Sequence, residues 1–566
     1  MADFTPSHCT TTNIVLCTLN AKYIHASLGL RYLLANMGNL QPKTALCEFT
    51  INRKTEELAA ELLAIDPKII AFGVYIWNVV QTCALVKQLK AQRPDIKIVL
   101  GGPEVSHETL EQEIVHLSDH VITGWGDVSF PKLCQALIHG PKPLMKVIAG
   151  EQPPLAEIAL PYALYTDDDL AHRLLYVEAS RGCPFKCEFC LSSLDKTAWA
   201  FDLTLFLGEL ETLYARGARN FKFVDRTFNL KIDTSVRILQ FFLDKLSEVQ
   251  FPAEPPQGEL APTGGSAAHE VASVGASLFV HFEVIPDHLP DRLKDMIAQF
   301  PPGVLQFEVG IQSFNVEVQQ RISRRQDNDK TVANLGWLVN ESNAHLHTDL
   351  IFGLPGESLQ SFGEGFDRLF AIKPHEIQLG ILKRLRGTPI ARHTVEHGMV
   401  YDALPPYQIQ QTKVVSAADM QRFARLARYW DLVANSGRFS GAMALLLRAE
   451  SPAASPFWAF MGFSDWLWES SAKTKGKTSG ITPENLVDAL HAYLIDVRKL
   501  DVQQVTQTLL ADYIASGARA RPEVLRSLIP KLPLPQVKAG KLLSQRQSQH
   551  TQHLSQQLKK SKELYP

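Results

Sequence analysis

The most constraining feature of this sequence is a cluster of three cysteines with the spacing Cys-x3-Cys-x2-Cys, at Cys183, Cys187 and Cys190. Thiolates spaced in this way on one loop can bind three irons of a [4Fe–4S] cluster. No cysteine follows Cys190, so the fourth iron should lack a cysteine ligand and remain open to another molecule. Structural zinc is a weaker interpretation, because it favours four ligands from two separated pairs. Chance clustering is weaker still beside a Gly-Cys-Pro turn and Phe189.

The triplet resembles the cluster loop of radical S-adenosylmethionine (SAM) enzymes, which has the pattern Cys-x3-Cys-x-aromatic-Cys. In that family the open iron is chelated by the amino and carboxylate groups of the methionine part of SAM. Reductive cleavage of SAM then gives a 5′-deoxyadenosyl radical that abstracts hydrogen. The resemblance implies that the cofactors perform the chemistry, while the protein positions them and excludes water.

Length and composition predict a globular, cytoplasmic protein. The chain has 566 residues and 45% apolar content, enough for about three domains. A net charge of −2 gives no overall field that would attract nucleic acid or an anionic membrane, so a nucleic-acid partner is not expected. The five cysteines outside the triplet are dispersed, as in proteins of a reducing compartment. The N-terminus lacks a signal-peptide pattern, and no apolar run is long enough to span a membrane.

Residues 10–140 alternate short apolar runs with amphipathic segments, which predicts a doubly wound parallel sheet. Ligands of such sheets bind beyond the carboxyl ends of the strands, and here four glycine-bearing loops follow the predicted strands. Each glycine taken alone is explained by a turn. Together, and directly before the cysteine triplet, the loops resemble the flavodoxin-like cobalamin-binding domain of one large radical SAM class. The residues that this resemblance assigns to cobalamin are Asn20, His25, Tyr75, Gly101, Gly102, Pro103, Glu104, Gly124 and Gly126.

Many cobalamin domains carry Asp-x-His-x-x-Gly, whose histidine replaces the lower axial ligand of cobalt, and this sequence lacks that motif. We therefore expect a state in which no histidine binds cobalt. His25 is expected to pack a loop or the corrin edge, which leaves the lower face of cobalt to water or to an apolar side chain.

A linker is predicted at 141–172, followed by a second βα series over 173–390. Six apolar runs in it predict a partial (βα)6 barrel of the radical SAM type, with catalytic groups at the carboxyl ends of the strands. The runs begin at Leu174, Asn220, Phe279, Leu305, His347 and Glu376. Residues 252–277 are rich in Pro, Gly, Ala and Ser, which is typical of a flexible insertion.

The resemblance to the radical SAM family also assigns residues to SAM by their position at strand ends. Asp225 would contact the amino group of SAM, although a helix N-cap explains it nearly as well. Arg324 or Arg325 could pair with the SAM carboxylate, and an ordinary surface arginine is the alternative. The segment from Asp349 to Glu357 resembles the fifth-strand motif of the family, whose backbone approaches adenine. The other expected SAM contacts are Glu283, Glu308, Gln312, Ser313, Gly353 and Leu354.

The C-terminal part is predicted to be helical over 391–535, with a basic, polar and disordered tail over 536–566. Aromatic residues at helical spacing in this region are mostly core, and a cap over the barrel mouth is the functional alternative. This region resembles an uncharacterised extension found on some cobalamin radical SAM proteins.

The leading hypothesis is a cobalamin-dependent radical SAM enzyme that methylates an unactivated carbon of an unknown small molecule or peptide. It would use a [4Fe–4S] cluster, SAM and cobalamin, with an electron donor such as flavodoxin or ferredoxin. A radical methylthiotransferase acting on tRNA is one alternative, but it requires a second cysteine triplet. A cobalamin or redox sensor without catalytic activity is the other, and it has no need of an adenine site.

Overall fold

The computed structural model describes residues 12–250, 278–448, 454–469, 473–518 and 520–529. These residues form two compact units. The first unit is the chain up to Thr227 with Lys383–Ala391 and Asp402–Gln408, and the second is Phe228–Leu382, Arg392–Tyr401 and the chain from Ile409. The predicted insertion 252–277 and the predicted tail 536–566 lie outside the described residues. Among the described helices, none has both the length and the hydropathy that a membrane crossing requires.

The first unit begins with a six-stranded parallel sheet in the order β2-β1-β3-β4-β5-β6. The strands are β1 (Ile14–Asn20), β2 (Thr44–Thr50), β3 (Ile69–Gly73), β4 (Lys97–Gly101), β5 (His120–Thr123) and β6 (Val147–Ala149). The chain places β2 on one side of β1 and β3 on the other, so the strand order reverses beside β1. In flavodoxin-like sheets this reversal opens a crevice at the carboxyl ends of the strands, where ligands bind.

Helices cover both faces of this sheet, because alternate strand residues point to opposite sides. Val15, Cys17 and Leu19 pack on one side with the second, third and fourth helices, and Ile14 and Leu16 pack on the other with the first and fifth. The helices are α1 (Leu28–Ala35), α2 (Thr55–Ala64), α3 (Val79–Gln92), α4 (Glu113–Leu117) and α5 (Ser129–His139). The predicted doubly wound sheet is therefore confirmed.

The rest of the first unit carries the cysteine loop. Its elements are α6 (Asp167–His172), β7 (Leu175–Val177), β8 (Ser180–Arg181), β9 (Trp199–Ala200), α7 (Leu203–Ala215) and β10 (Asn220–Phe223). β7 pairs with β10 in parallel, β8 pairs with β9 antiparallel, and the cysteines lie between β8 and β9. β6 and α6 fall within the predicted linker 141–172. Val147 and Ile148 supply the β-branched residues of an edge strand there, which the many prolines obscure in the sequence.

The second unit continues the βα series. β11 (Phe279–Val284), β12 (Leu305–Gln312), β13 (His345–Phe352) and β14 (Glu376–Ile381) pair in parallel in that order. The helices among them are α8 (Ile232–Gln250), α9 (Asp291–Ile297), α10 (Val316–Arg321), α11 (Asn328–Glu341) and α12 (Leu359–Ile372). One face of β13 is buried and apolar, with Leu346, Leu350 and Phe352, while the other face carries His347 and Asp349. This polar face is the one that can bind ligands.

A short antiparallel pair and five helices complete the second unit. They are β15 (Val400–Tyr401), β16 (Ile409–Gln411), α13 (Ala417–Val433), α14 (Ser440–Leu446), α15 (Pro456–Glu469), α16 (Pro483–Ala492) and α17 (Val502–Ala515). Phe423 of α13 packs on Phe352 with ring centroids 4.2 Å apart, and Trp430 donates from Nε1 to the Ile377 carbonyl (2.9 Å). Phe457 of α15 is fully buried. These aromatic residues form core, as the commoner interpretation predicts.

Candidate active site

The three cysteines of the triplet lie together on one loop. Cys183 is buried, Cys187 and Cys190 are half-buried, and all three are free thiols. The Cys190 N–H donates to the Cys187 carbonyl (3.1 Å), and the Cys183 N–H donates to the Asp195 carbonyl (2.9 Å). Burial raises the pKa of Cys183, and the nearby charges of Cys190 and Cys187 raise it further, against a hydrogen bond from the Phe185 backbone. Thiolates that repel one another in this way are stabilised by a shared cation, so the loop fits an iron–sulfur cluster.

The other described cysteines belong to the first sheet domain. Cys17, Cys47 and Cys134 are buried among apolar side chains, and Cys83 is half-buried on α3. Burial raises the pKa of Cys47 to about 12, which makes it an inert thiol. These four residues are therefore structural and form no second triplet.

The backbone before the first cysteine requires glycine. Gly182 has a φ of +85°, and a Cβ at this position would lie 2.6 Å from Thr197 Oγ1 and 2.7 Å from the Ala198 nitrogen. Asp195 closes the loop, because its Oδ1 accepts from the Thr197 hydroxyl (2.8 Å) and its Oδ2 accepts from Trp125 Nε1 (2.8 Å). Trp125 belongs to the loop after β5, so the cluster loop is bonded directly to the first sheet.

Arg181 makes a second bond between these two loops. Its Nη1 lies 2.8 Å from Asp127 Oδ2 and its Nε lies 2.8 Å from Glu178 Oε1. The guanidinium lies 4.4 Å from the ring centroid of Tyr32 and 5.0 Å from that of Trp125. The sequence analysis did not identify these contacts, because Arg181 and Asp127 are 54 positions apart.

A cavity of about 260 Å³ opens at the carboxyl edge of the first sheet. Five of the predicted cobalamin contacts line it: Tyr75, Gly101, Gly102, Gly124 and Gly126. The loops after β3, β4 and β5 therefore meet at one edge, where a doubly wound sheet binds ligands. Gly102 has a φ of +107°, and a Cβ there would lie 2.5 Å from the Val74 carbonyl oxygen. Trp125 and Arg181 also line the cavity, so the cavity and the cluster loop share residues.

Asn20 and His25, both predicted cobalamin contacts, are not among the residues that line this cavity. Asn20 Nδ2 donates to the His25 carbonyl (2.8 Å) and to Glu48 Oε1 (3.1 Å). His25 Nδ1 lies 2.7 Å from the Tyr176 hydroxyl, and burial lowers the pKa of the imidazole. The structure thus places His25 in the packing between the loop after β1 and strand β7.

Pro103 and Glu104 also lie outside the cavity lining. Glu104 is buried and accepts from the Tyr407 hydroxyl (2.6 Å) and from Arg386 Nε (3.0 Å). Arg386 donates in addition to Glu108 Oε2 (3.0 Å). The Glu104 carboxylate therefore holds the loop after β4 against the segments that contain Arg386 and Tyr407.

Asp225 lies two residues beyond β10, and its carboxylate supports the chain that leads into the cysteine loop. Its Oδ2 accepts from the Ala179 N–H (2.9 Å), and its Oδ1 accepts from the Ser180 hydroxyl (2.5 Å). Burial raises the pKa of Asp225 to about 7. These hydrogen bonds go to the β7–β8 connection, so the alternative of a helix N-cap does not describe them.

Glu283 and Glu308 are partners in the register of β11 and β12. Glu308 does not end its strand, because β12 continues through Val309 and Ile311 to Gln312. This corrects the expectation of a strand-end carboxylate: apolar β-branched residues after Glu308 extend the strand. The Glu308 Oε2 lies 3.1 Å from His281 Nε2 on β11.

The carboxyl end of β12 carries Gln312 and Ser313. Gln312 has a φ of +70° at a register shift against β13. The buried Ser313 hydroxyl donates to Glu357 Oε1 (2.5 Å). Burial raises the pKa of Glu357 to about 7, against the Ser313 hydrogen bond that lowers it. Ser313 and Glu357 thus form a buried polar pair that joins the loops after β12 and β13, and sequence reasoning did not pair them.

Arg324 supports the same strand end. Its Nη2 donates to the Gly310 carbonyl, and its Nε donates to Gln326 Oε1 (3.0 Å). Arg325 is exposed. The structure therefore uses the Arg324 guanidinium to hold the irregular end of β12.

Gly353 and Leu354 follow β13 and are tightly packed. Gly353 has a φ of +89°, and a Cβ there would lie 2.6 Å from Ile409 Cγ2 and 3.3 Å from Met420 Cε. Leu354 is fully buried. A group therefore does lie close to the backbone of Gly353, but that group is the side chain of Ile409.

Comparison with known families identifies three regions. Residues 14–134 match the B12 binding domain, and residues 177–369 match the Radical SAM superfamily. Residues 395–564 match a family of proteins of unknown function (DUF4080). The 2-(S-pantetheinyl)-carbapenam-3-carboxylate methyltransferase of Streptantibioticus cattleyicolor is 23% identical over 350 residues, which cover 57% of this chain and 47% of that protein. The chain thus spans about half the length of this curated relative.

Two solved structures share the fold. TsrM from Kitasatospora setae, a radical S-adenosylmethionine methyltransferase with cobalamin and a [4Fe–4S] cluster bound, matches with a TM-score of 0.56 at 13% identity, over 89% of this chain and 100% of that chain. OxsB, a cobalamin-dependent S-adenosylmethionine radical enzyme with aqua-cobalamin and S-adenosylmethionine bound, matches with a TM-score of 0.56 at 12% identity, over 92% of this chain and 83% of that chain.

These matches confirm the predicted fold class and the predicted order of a B12-binding domain before a radical SAM domain. The chain thus carries a region that matches the B12 binding domain, followed by a region that matches the Radical SAM superfamily. The predicted helical extension corresponds to the family of unknown function.

Proposed function

We propose that this protein is a cobalamin-dependent radical SAM methyltransferase. The observation that carries the proposal is the direct bonding of the cluster loop to the cobalamin-domain loop, through Arg181 with Asp127 and through Asp195 with Trp125. Such bonds fix the distance between two cofactors that have to act on one substrate. The family matches and the methyltransferase relative support the same conclusion.

The residues present fit the cofactors. Cys183, Cys187 and Cys190 would hold a [4Fe–4S] cluster. The glycine-walled cavity would take part of cobalamin, since its volume of about 260 Å³ is somewhat smaller than the roughly 300–1,000 Å³ of ligand pockets. When bound, these groups supply reductive cleavage of SAM and transfer of a methyl group. Glu283, Glu308, Gln312, Ser313 and the backbone at Gly353 stay candidate SAM contacts.

The protein's own groups position the cofactors. Asp225 holds Ala179 and Ser180, which precede the cluster loop, and Gly182 lets that loop turn. The absence of Asp-x-His-x-x-Gly and the engagement of His25 by Tyr176 support a cobalt without a histidine ligand. We expect an electron donor such as flavodoxin or ferredoxin, because the cleavage of SAM at the cluster is reductive. A cytoplasmic location is part of the same proposal, since the cysteines outside the triplet are dispersed along the sequence.

Neither alternative function is better supported than methyl transfer. A tRNA methylthiotransferase needs a second cysteine triplet, whereas Cys17, Cys47, Cys83 and Cys134 are dispersed over the first sheet domain. A sensor would not need the SAM-binding strand ends that the radical SAM family shares.

The proposal is tested by anaerobic reconstitution with iron, sulfide and cobalamin, followed by incubation with a reductant, metabolite extract and SAM labelled with deuterium on its methyl group. We expect 5′-deoxyadenosine and a deuterated product, and neither from the variant Cys187→Ser. Deoxyadenosine with no label in any product would exclude methyl transfer. No deoxyadenosine under any reductant would place the sensor hypothesis first.

A further inference from the structure

Two histidines and a glutamate converge at the amino ends of two neighbouring strands in the second unit. His345 is the first residue of β13, His347 follows two positions later on the same face, and Glu376 is the first residue of β14. His347 and Glu376 are partners in the strand register. Because residues two apart in a strand share a face, all three side chains point to the same side of the sheet.

The distances fit a common cation. His347 Nε2 lies 3.0 Å from Glu376 Oε1, and His345 Nε2 lies 3.9 Å from that same oxygen. One ligand atom from each residue lies within 4.8 Å of the others. Zinc binds imidazole nitrogen and carboxylate oxygen at about 2.0–2.2 Å, so two tetrahedral ligands lie roughly 3.3–3.6 Å apart. The observed separations lie on either side of this value.

The three side chains lie in a largely buried place. Glu376 is 1% exposed, and a cation bound beside a buried carboxylate offsets the cost of its burial. Both imidazoles face Glu376 Oε1, His347 at 3.0 Å and His345 at 3.9 Å. The Gln306 amide nitrogen also lies 2.8 Å from His347 Nε2, and a bound cation would replace this contact.

Neighbouring side chains hold the imidazoles in place, as outer partners of metal ligands do. The Gln378 amide nitrogen lies 3.2 Å from His347 Nδ1. The His375 ring lies 4.6 Å from the His345 ring, and its Nδ1 accepts from the Leu346 N–H (3.1 Å).

We propose that His345, His347 and Glu376 bind a divalent transition metal such as Zn²⁺, with one position left to water. Two imidazoles and one carboxylate form a donor set that zinc uses in proteins. The site lies at the amino ends of the strands, opposite to Ser313 and Gly353 at the carboxyl ends. In barrels of this type the amino end serves stability, so the metal would tie β13 to β14. The proposal does not depend on the proposed methyltransferase activity.

The test uses the full chain with Cys183, Cys187 and Cys190 replaced by Ser, so that no iron–sulfur cluster forms. After incubation with Zn²⁺ and removal of free metal, we expect about one zinc ion per chain in this background. Zinc should also raise its melting temperature, because an ion that binds only the folded state stabilises that state. Co²⁺ should give the visible absorption of a four- or five-coordinate ion.

Matched variants locate the ion. His347→Ala and Glu376→Gln should each weaken zinc binding by more than the roughly 10- to 100-fold that outer partners contribute. His491→Ala is the control, because His491 is a half-buried histidine of α16 in the same unit, and its Nε2 lies 3.1 Å from Thr506 Oγ1. That control should bind zinc like the parent. The proposal would be overturned if the triple Cys→Ser chain bound less than a tenth of a zinc ion, or if Glu376→Gln bound zinc as tightly as that chain does. The zinc content of the triple Cys→Ser chain remains a test even if a variant fails to fold.

Discussion

Replacing Arg181 with Met should separate the cobalamin-domain loop from the cluster loop. The Arg181 side chain is 13% exposed and lies between the carboxylates of Asp127 and Glu178, which are 6% and 12% exposed. Methionine keeps the length and the packing on Tyr32 but removes the charge. Two buried carboxylates then face each other without a cation.

The magnitude follows from this burial. Removing one partner of a buried ion pair destabilises the folded state by about 3–5 kcal/mol. The lost contact between the guanidinium and the aromatic rings adds roughly 0.5–2 kcal/mol. If only about 1.4 kcal/mol of this is lost from the free energy of cobalamin binding, because the cavity loosens, the affinity for cobalamin falls tenfold. Arg181→Lys should be intermediate, because it keeps a charge but lacks the planar fork that reaches both carboxylates.

Equilibrium binding of cobalamin to the cluster-free protein is the assay, combined with hydrogen exchange of residues 124–127 and 180–183. Arg173→Met is the matched control. Arg173 is also buried, and it pairs with Glu48 (2.8 Å) and Asp169 (3.4 Å) in the same unit, away from the cavity lining. It should lower the urea midpoint similarly while cobalamin affinity stays within about twofold of wild type. Unchanged affinity and unchanged exchange in Arg181→Met would refute the coupling of the two loops.

Two further predictions concern buried groups. The pKa of Asp225 is raised to about 7, so its contribution to stability is complete below the unfolded pKa and is lost as pH rises through 7. Between about pH 5 and pH 8, wild type should lose roughly 3 kcal/mol of unfolding free energy relative to Asp225→Asn, measured by urea unfolding, and parallel pH profiles would contradict the assignment. Gly353→Ala should destabilise the folded state by about 1–3 kcal/mol, because the added methyl group would collide with Ile409. Gly208→Ala is the control and should not destabilise it, since Gly208 lies in a helix with open space around it. Equal urea midpoints for Gly353→Ala and wild type would show that the packing at Gly353 is looser.

Because Gly353 is tightly packed, a large residue at this position cannot be used to test adenine binding. A large residue at this position collides with Ile409 whether or not adenine binds nearby. Loss of SAM binding in such a variant would therefore report on folding. Polar groups at the neighbouring strand end are better probes: Ser313→Ala removes the hydroxyl that donates to Glu357 and adds no bulk.

The strands and the loops at their ends could be predicted from the sequence because their signals are local. Runs of β-branched residues mark the strands, and the cysteine triplet is complete within eight positions. The partners that position these loops could not be predicted. Glu104 is bonded to Tyr407, 303 positions away, and no local pattern distinguishes this glutamate from one that binds a ligand.

The histidine and glutamate cluster could not be predicted from the sequence. The predicted apolar run begins at His347, whereas β13 begins at His345, so the sequence analysis did not place the two histidines on one strand face. Glu376 lies on the next strand, and its register with His347 depends on the length of α12 and its connections. The cluster therefore required the structure.

Buried charges recur throughout the first unit and explain how glycine loops can be held in place. Arg31 lies 2.9 Å from Glu48, Arg181 lies 2.8 Å from Asp127, and Arg386 lies 3.0 Å from Glu104. Buried ion pairs add little net stability, since desolvation offsets most of the attraction, but breaking one is strongly unfavourable. Glycines in the loops that line the cavity have no side chains to interlock, so the positions of these loops have to be set by neighbouring groups. Arg181 and Asp127 form one such charge pair in the cavity wall itself, whereas Glu104 and Arg386 hold the loop after β4 from outside the lining.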